Sequence, residues 1–211
     1  MKNYSAYLFD MDGTLVNSEG LKGKALVETC SLYGSQVDVA IYKVVMGETW
    51  SKVTNHFFNT AGIKPNIDEF TIKFRKIYQE LLREKLSPNP NAKELLSKFK
   101  ERCKKIGLVS SASAWMVNQV LVQLKISDFF DVVVTYEDIT NHKPSPEAYL
   151  VALEKLAISN SEVLIFEDSN AGLIAAQKAM CDVVAFRHEF NTNNDFSSAI
   201  KIISDFNEFP V

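Results

Sequence analysis

Five short apolar runs fix most of what this chain can become: Ala6–Phe9, Lys105–Val109, Asp131–Thr135, Glu162–Phe166 and Asp182–Phe186. The stretches between the last four carry helical patterning. An apolar run of this length suits a strand buried on both faces, and neighbouring parallel strands require a crossover between them, usually a helix. The alternation therefore predicts βαβ units and a parallel sheet covered on both sides.

Local signals sharpen this outline. Pro146 after Ser145 reads as a first-turn proline following a capping residue, opening a helix over Glu147–Leu156. Asn91 and Glu94 have the spacing of a capping box for a helix that ends near Glu101. Between the first and second runs the patterning is helical throughout, and Phe70, Phe74, Ile77 and Leu81, at spacings of 4, 3 and 4, stripe one helix face. Ser87-Pro88-Asn89-Pro90-Asn91 then reads as a rigid linker back to the sheet. The expected architecture is α/β: a doubly wound, parallel-sheet, Rossmann-like core from residues 1–17 and 88–211, with a helical domain inserted at 18–87.

Composition narrows the class of partner. At 46% hydrophobic and 23% charged, the 211 residues belong to the ordinary globular range and not to a disordered or fibrous chain. Twenty-three basic against 26 acidic side chains leave a net charge of −3, which gives no electrostatic footprint for nucleic acid or an anionic membrane. The apolar stretch after Met1-Lys2-Asn3 runs into Asp10 and Asp12, too brief and too acidic a start for a signal peptide to be expected, and no segment reaches the ~18 apolar residues of a membrane span. A cytoplasmic monomer acting on a small molecule is the expectation. Cys30, Cys103 and Cys181 are odd in number and lack a Cys-x-x-Cys pair, so they are expected to be buried free thiols. His56, His142 and His188 lack metal-ligand spacing.

In open α/β sheets the working groups gather beyond the carboxyl ends of the strands. The first run ends Asp10-Met11-Asp12-Gly13-Thr14, where two close carboxylates repel each other unless a cation or shared proton compensates. The second ends Ser110-Ser111, a hydroxyl and loop amides suited to an anion. Beyond the third comes Lys143-Pro144-Ser145-Pro146, a cation in a stiff turn, and the fourth ends Glu167-Asp168-Ser169-Asn170-Ala171-Gly172. Together they describe an acid-rich site with one lysine and hydroxyls. The acids suit Mg²⁺, which takes carboxylate and phosphate oxygens, and the lysine and serine suit the other side of a phosphate.

These residues resemble the four motifs of the haloacid dehalogenase superfamily: Asp10 to Thr14, Ser110, Lys143 within Lys-Pro-x-Pro, and Glu167-Asp168-Ser169 leading to Gly172. The resemblance spans nearly the whole chain and looks closest to the β-phosphoglucomutase-like branch, whose helical cap is inserted between the first and second motifs. It implies Asp10 as nucleophile, forming an aspartyl-phosphate, and Asp12 as general acid and then base. It implies Mg²⁺ on the Asp10 carboxylate, the Asp12 carbonyl and the Asp168 carboxylate, with Glu167 either a further ligand or a residue holding the ligands. Ser110, the Ser111 amide and Lys143 would hold the phosphoryl oxygens. Thr14 would brace the turn, and Gly172 would let the following helix pack closely.

Within the superfamily, Asp12 and Thr14 favour C–O–P chemistry over dehalogenation. The sugar-phosphate mutases carry a cap arginine after a glycine, whereas Met46-Gly47-Glu48-Thr49-Trp50-Ser51 has none, so hydrolysis of small phosphate monoesters is expected over the mutase alternative. The cap would set substrate choice, with Glu48, Thr49, Trp50, Lys52 and His56 as candidate contacts. A signalling receiver domain uses similar acids, hydroxyl and lysine, but it would be far shorter and would lack the inserted helices.

Overall fold

The computed structural model of the protein describes residues 2–210. In chain order its elements are β1 (Ala6–Phe9), α1 (Glu19–Ser31), α2 (Trp50–Ala61), α3 (Ile67–Lys85), α4 (Ala92–Glu101) and β2 (Lys105–Val109). There follow α5 (Ala114–Leu124), β3 (Val132–Val134), α6 (Glu147–Leu156), β4 (Val163–Glu167), α7 (Asn170–Lys178), β5 (Asp182–Phe186) and β6 (Lys201–Ile203). Two compact units emerge: one runs to Val16 and resumes at Pro88, and the other is Asn17–Ser87. No helix among the described residues is long and apolar enough to cross a membrane.

The first unit is a parallel six-stranded sheet in the order β3-β2-β1-β4-β5-β6. β1 and β4 are buried along their whole length, as the sequence pattern requires of central parallel strands. The two faces of the sheet are packed differently. Ala6, Leu8, Val163 and Ile165 join Ala148, Tyr149 and Ala152 of α6 and Leu173 and Ala176 of α7 in an aliphatic core. On the alternate positions, Tyr7 stacks on Phe99 of α4 at 3.6 Å and Phe9 on Phe166 at 4.7 Å, with Phe206 and Phe209 edge-on to Phe166. Period-two alternation thus divides an aliphatic layer from an aromatic one.

Several local expectations are corrected. The third run shortens to Val132–Val134: the Asp131 N–H still donates to the Ile106 carbonyl at 2.8 Å, but the Ile106 N–H goes to the Asp131 carboxylate at 2.8 Å and the Thr135 N–H turns to Asp138 at 2.7 Å. The Asn91–Glu94 capping box does not form: Asn91 lies in the left-handed region (φ 59°) and its Nδ2 donates to Asp205 at 2.8 Å. Pro146 occupies the cap position of α6 itself, and the Ser145 hydroxyl accepts the Glu147 N–H at 3.4 Å. Cys103 is exposed, not buried, because it sits at φ 53° in the turn that ends α4; Cys30 and Cys181 are buried. β6 was not expected: Lys201-Ile202-Ile203 is only three residues long, and Ile202 is 40% exposed on the edge of the sheet.

In the second unit, α3 buries Phe70, Phe74, Tyr78, Leu81 and Leu82, with Ile77 half-buried at the margin of the predicted stripe. The Asn66 side chain caps it by accepting the Asp68 and Glu69 N–H groups at 3.0 and 3.1 Å. Asp68 and Glu69 in its first turn and Arg83 and Lys85 in its last complement the helix dipole.

Ala157 carries removable strain. Ala157 closes α6 at φ 54°, ψ 45°, and is exposed, so its methyl group packs against nothing that would offset the left-handed backbone. A non-glycine residue there costs about 1–2 kcal/mol, part of which glycine returns through its freedom in the unfolded chain. Ala157→Gly is expected to stabilise the protein by roughly 0.5–1 kcal/mol, a rise in thermal midpoint of about 1–4 °C by scanning calorimetry.

Candidate active site

Strand parity places the acids of the site. Ala6 and Leu8 of β1 and Val163 and Ile165 of β4 face the aliphatic layer, so Asp10 and Glu167, the next members of the two series, turn toward the same face. Phe9 pairs with Phe166, and the Asp10 N–H donates to the Phe166 carbonyl at 3.0 Å, which sets the two carboxylates side by side.

Lys143, from the loop between β3 and α6, reaches into this corner. Its ammonium donates to Asp10 Oδ1 at 2.7 Å, to Glu167 Oε1 at 2.6 Å and to the Val109 carbonyl at 3.3 Å, bridging the ends of β1, β4 and β2. Its side chain is 4% exposed and that of Glu167 0%. Burial by itself would lower the lysine pKa, but the carboxylates of Asp10 and Glu167 outweigh it and hold the ammonium well above its ordinary value. For Asp10, burial pushes the carboxyl well above its usual range; Lys143 opposes this, while Glu167 and Asp168 add to it.

Five donors converge on Glu167: Lys143 Nζ and Tyr149 Oη (3.0 Å) on Oε1, and the Asp168 N–H (2.8 Å), Ser169 N–H (2.9 Å) and Ser169 hydroxyl (3.1 Å) on Oε2. A carboxylate has about four acceptor positions, so these bonds account for its capacity. The fully buried Tyr149 phenol was not anticipated from the sequence; its apolar helical position conceals the hydroxyl at its tip. Gly172 is required here, since a Cβ on it would overlap the Glu167 carboxylate.

Asp168 follows on the strand end and is 2% exposed. The Thr14 hydroxyl donates to its Oδ1 at 3.1 Å, and His188 Nε2 lies 2.9 Å from its Oδ2. Thr14 therefore ties the first motif's turn to the fourth motif's acid. Carboxylate oxygens of Asp10, Glu167 and Asp168 lie within 4.8 Å of one another. Three carboxylates against one ammonium leave two negative charges uncompensated when all are ionised, and the donors are hard oxygens. This set of hard oxygen donors could hold a divalent metal ion such as Mg²⁺.

The turn itself is built around Gly13 at φ 83°, with the Gly13 N–H donating to Val16 O at 2.9 Å and the Val16 N–H to Met11 O at 3.0 Å. Asp12 is half-buried in this turn. Asn89, read from the sequence as part of a linker, is buried beneath it: its Nδ2 donates to Gly13 O at 2.8 Å and Thr14 O at 2.7 Å, and its N–H to Leu15 O at 3.0 Å. No motif signals this, because the two carbonyls lie far away in sequence. Ser110 is buried at the end of β2, its hydroxyl accepting the Ala112 N–H at 3.0 Å, and Ser111 is exposed beside it.

The candidate substrate contacts belong to the helical unit. Glu48 and Lys52 pair with each other at 2.8 Å on its surface. Trp50 donates from Nε1 to Thr71 Oγ1 at 3.0 Å and packs on Phe74 at 4.6 Å, and His56 Nε2 contacts the Ile41 carbonyl at 3.1 Å. Thr49 is exposed at the N-cap of α2.

A doubly wound sheet with a lysine-bridged carboxylate pair at its carboxyl edge and a third acid beside it has the form of an α/β enzyme site. Residues 7–186 match the family model for haloacid dehalogenase-like hydrolases, and the chain belongs to that family. It is 30% identical over 174 residues to a phosphorylated carbohydrates phosphatase of Thermotoga maritima, covering 82% of this chain and 81% of that one. It is 25% identical to the fructose-1-phosphate phosphatase YqaB of Escherichia coli, covering 88% and 98%. In fold it is similar to CbbY from Rhodobacter sphaeroides, solved in complex with phosphate, with a TM-score of 0.86 at 23% identity over 97% and 96% of the two chains.

The Asn89 contacts carry a stability prediction. Asn89→Ala leaves two buried carbonyls without their donor, and an unmade buried hydrogen bond costs about 1–3 kcal/mol. Urea unfolding at neutral pH is expected to show a loss in that range. Asn89→Asp, which replaces the donor with an acceptor facing the same carbonyls, is expected to lose more.

Proposed function

We propose that the protein is a Mg²⁺-dependent phosphatase of small phosphorylated metabolites, cleaving phosphate monoesters through an aspartyl-phosphate on Asp10. The observation that carries this reading is the buried Asp10–Lys143–Glu167 network with Asp168 alongside. Relatives named as phosphatases of phosphorylated sugars support the substrate class.

In the first step an Asp10 carboxylate oxygen forms a bond to phosphorus as the bond from phosphorus to the substrate oxygen breaks. Asp12 gives its proton to that leaving oxygen. In the second step Asp12 takes a proton from water, the water oxygen bonds to phosphorus, and the bond to Asp10 breaks to release inorganic phosphate. Lys143 opposes the rise that burial imposes on the Asp10 carboxyl and so favours its ionised, nucleophilic form. Its weakest hydrogen bond, at 3.3 Å to Val109 O, is the one most readily exchanged for a phosphoryl oxygen. Ser110 and the Ser111 N–H supply further donors to the phosphoryl group, whose transfer depends mainly on such positioning.

Bound Mg²⁺ supplies positive charge to the transferring phosphoryl group. Asp10 and Asp168 would hold it, with the Asp12 carbonyl, while Glu167, its oxygens committed to five donors, holds Lys143 and the strand end in place. The helical unit is the proposed determinant of substrate choice, with Glu48, Trp50 and Lys52 as its candidate contacts.

The test is release of inorganic phosphate from para-nitrophenyl phosphate and from a panel of hexose, pentose and short-acid phosphates. Asp10→Asn is expected to lower turnover at least about a thousandfold, the scale of losing a nucleophile. EDTA is expected to abolish activity and added Mg²⁺ to restore it. Full turnover after either treatment removes the proposal, and isomerised sugar phosphate without free phosphate would indicate a mutase instead.

A further inference from the structure

The loop after β5 forms a collar around Asp168 that the mechanism above does not use. His188 Nε2 lies 2.9 Å from Asp168 Oδ2, and the Phe190 N–H donates to His188 Nδ1 at 3.2 Å. A ring nitrogen that accepts a backbone N–H carries no proton, so the imidazole proton sits on Nε2 and is donated to the carboxylate. The imidazole is itself anchored. The His188 N–H donates to Asn191 Oδ1 at 2.8 Å, and Asn191, 1% exposed, donates from Nδ2 to the carbonyls of Asp168 (3.0 Å) and Phe186 (2.8 Å). Asn194 Nδ2 adds a second bond to Asp168 O at 3.1 Å. The loop therefore holds both the backbone and the side chain of this acid.

We infer that His188 is a positioning residue for the cation site: as a neutral donor on Oδ2, opposite Thr14 on Oδ1, it fixes the plane of the Asp168 carboxylate in the orientation that binds the metal. With one donor on each oxygen, rotation of the carboxylate breaks at least one bond. Gly13 belongs to the same arrangement, since a Cβ there would meet Asp168 Oδ2 and would lie 3.0 Å from His188 Nε2. Groups that orient a metal ligand from outside the coordination sphere typically change metal affinity 10- to 100-fold when removed. His188 lacks metal-ligand spacing in the sequence, which says nothing of this role, because Asp168 and His188 meet only through the pairing of β4 with β5.

The inference rests on the proposed cation site, and its test separates the two. Mn²⁺ binding to the metal-free full-length protein is measured by electron paramagnetic resonance, with thermal unfolding of the same samples. His188→Ala is expected to weaken Mn²⁺ binding by about tenfold or more. His188→Gln, whose side-chain amide can present an N–H near the position of Nε2, is expected to restore it to within about threefold of wild type at an unchanged melting midpoint. Asp168→Asn is the control. If Asp168→Asn abolishes binding while His188→Ala binds as wild type, the role of His188 is overturned and the cation site stands. Equal weakening in the Ala and Gln variants also overturns it, leaving a purely structural histidine. If the wild type binds no Mn²⁺, or Asp168→Asn binds like the wild type, the cation site fails and the inference fails with it.

Discussion

The Lys143 ammonium is the interaction on which the carboxyl edge of the sheet depends. Two carboxylates and a lysine are withdrawn from water at one corner, and desolvation of such groups costs several kcal/mol each unless the geometry compensates. Compensation is provided by bonds of 2.6 and 2.7 Å, by the Val109 carbonyl, and by the further donors that complete Glu167. Removing one partner from such a buried pair typically costs about 3–5 kcal/mol, because the remaining charge stays behind. Two acidic strand ends that would otherwise repel are joined to each other and to the Val109 carbonyl through a single cation, and the remaining excess of negative charge is what suits the corner to a divalent metal.

The sheet delivers these groups through two simple geometric rules. Alternation along β1 and β4 sends Asp10 and Glu167 to the aliphatic side, where α6 brings Tyr149 to meet them. Parallel register then aligns Phe9 with Phe166 and therefore aligns the acids that follow. The opposite face can be aromatic and tightly stacked because none of the charged groups points into it. A slip of one residue in the register of β1 would move Asp10 to the aromatic face and remove the site altogether.

Around that corner, asparagines and a histidine hold the loops. Asn89 satisfies the carbonyls of Gly13 and Thr14, and Asn191 those of Asp168 and Phe186. Each spans two backbone groups that no helix or strand would satisfy, which is the requirement a buried turn imposes. The loops of the site are therefore ordered by side-chain amides placed far away in sequence.

The sequence by itself determined the α/β class, the strand sites and the order of the motif residues, because burial on both faces leaves a continuous apolar run and helix crossovers leave a different period. It also contained Asp10, Lys143, Glu167 and Asp168 as polar ends to those runs. It did not reveal β6, too short and too exposed to leave a pattern, or the left-handed Asn91, whose side chain prefers Asp205 to its own helix. Nor did it reveal Asn89, Tyr149 or His188, since a polar residue in a linker, an apolar helix face or a loop looks the same whether or not it meets a partner. Only the tertiary structure decided which carboxylate is saturated by donors and which acids are gathered around it. That distinction depends on groups from β3–α6, α7 and the loop after β5 converging on one point, and convergence in space has no counterpart in local sequence.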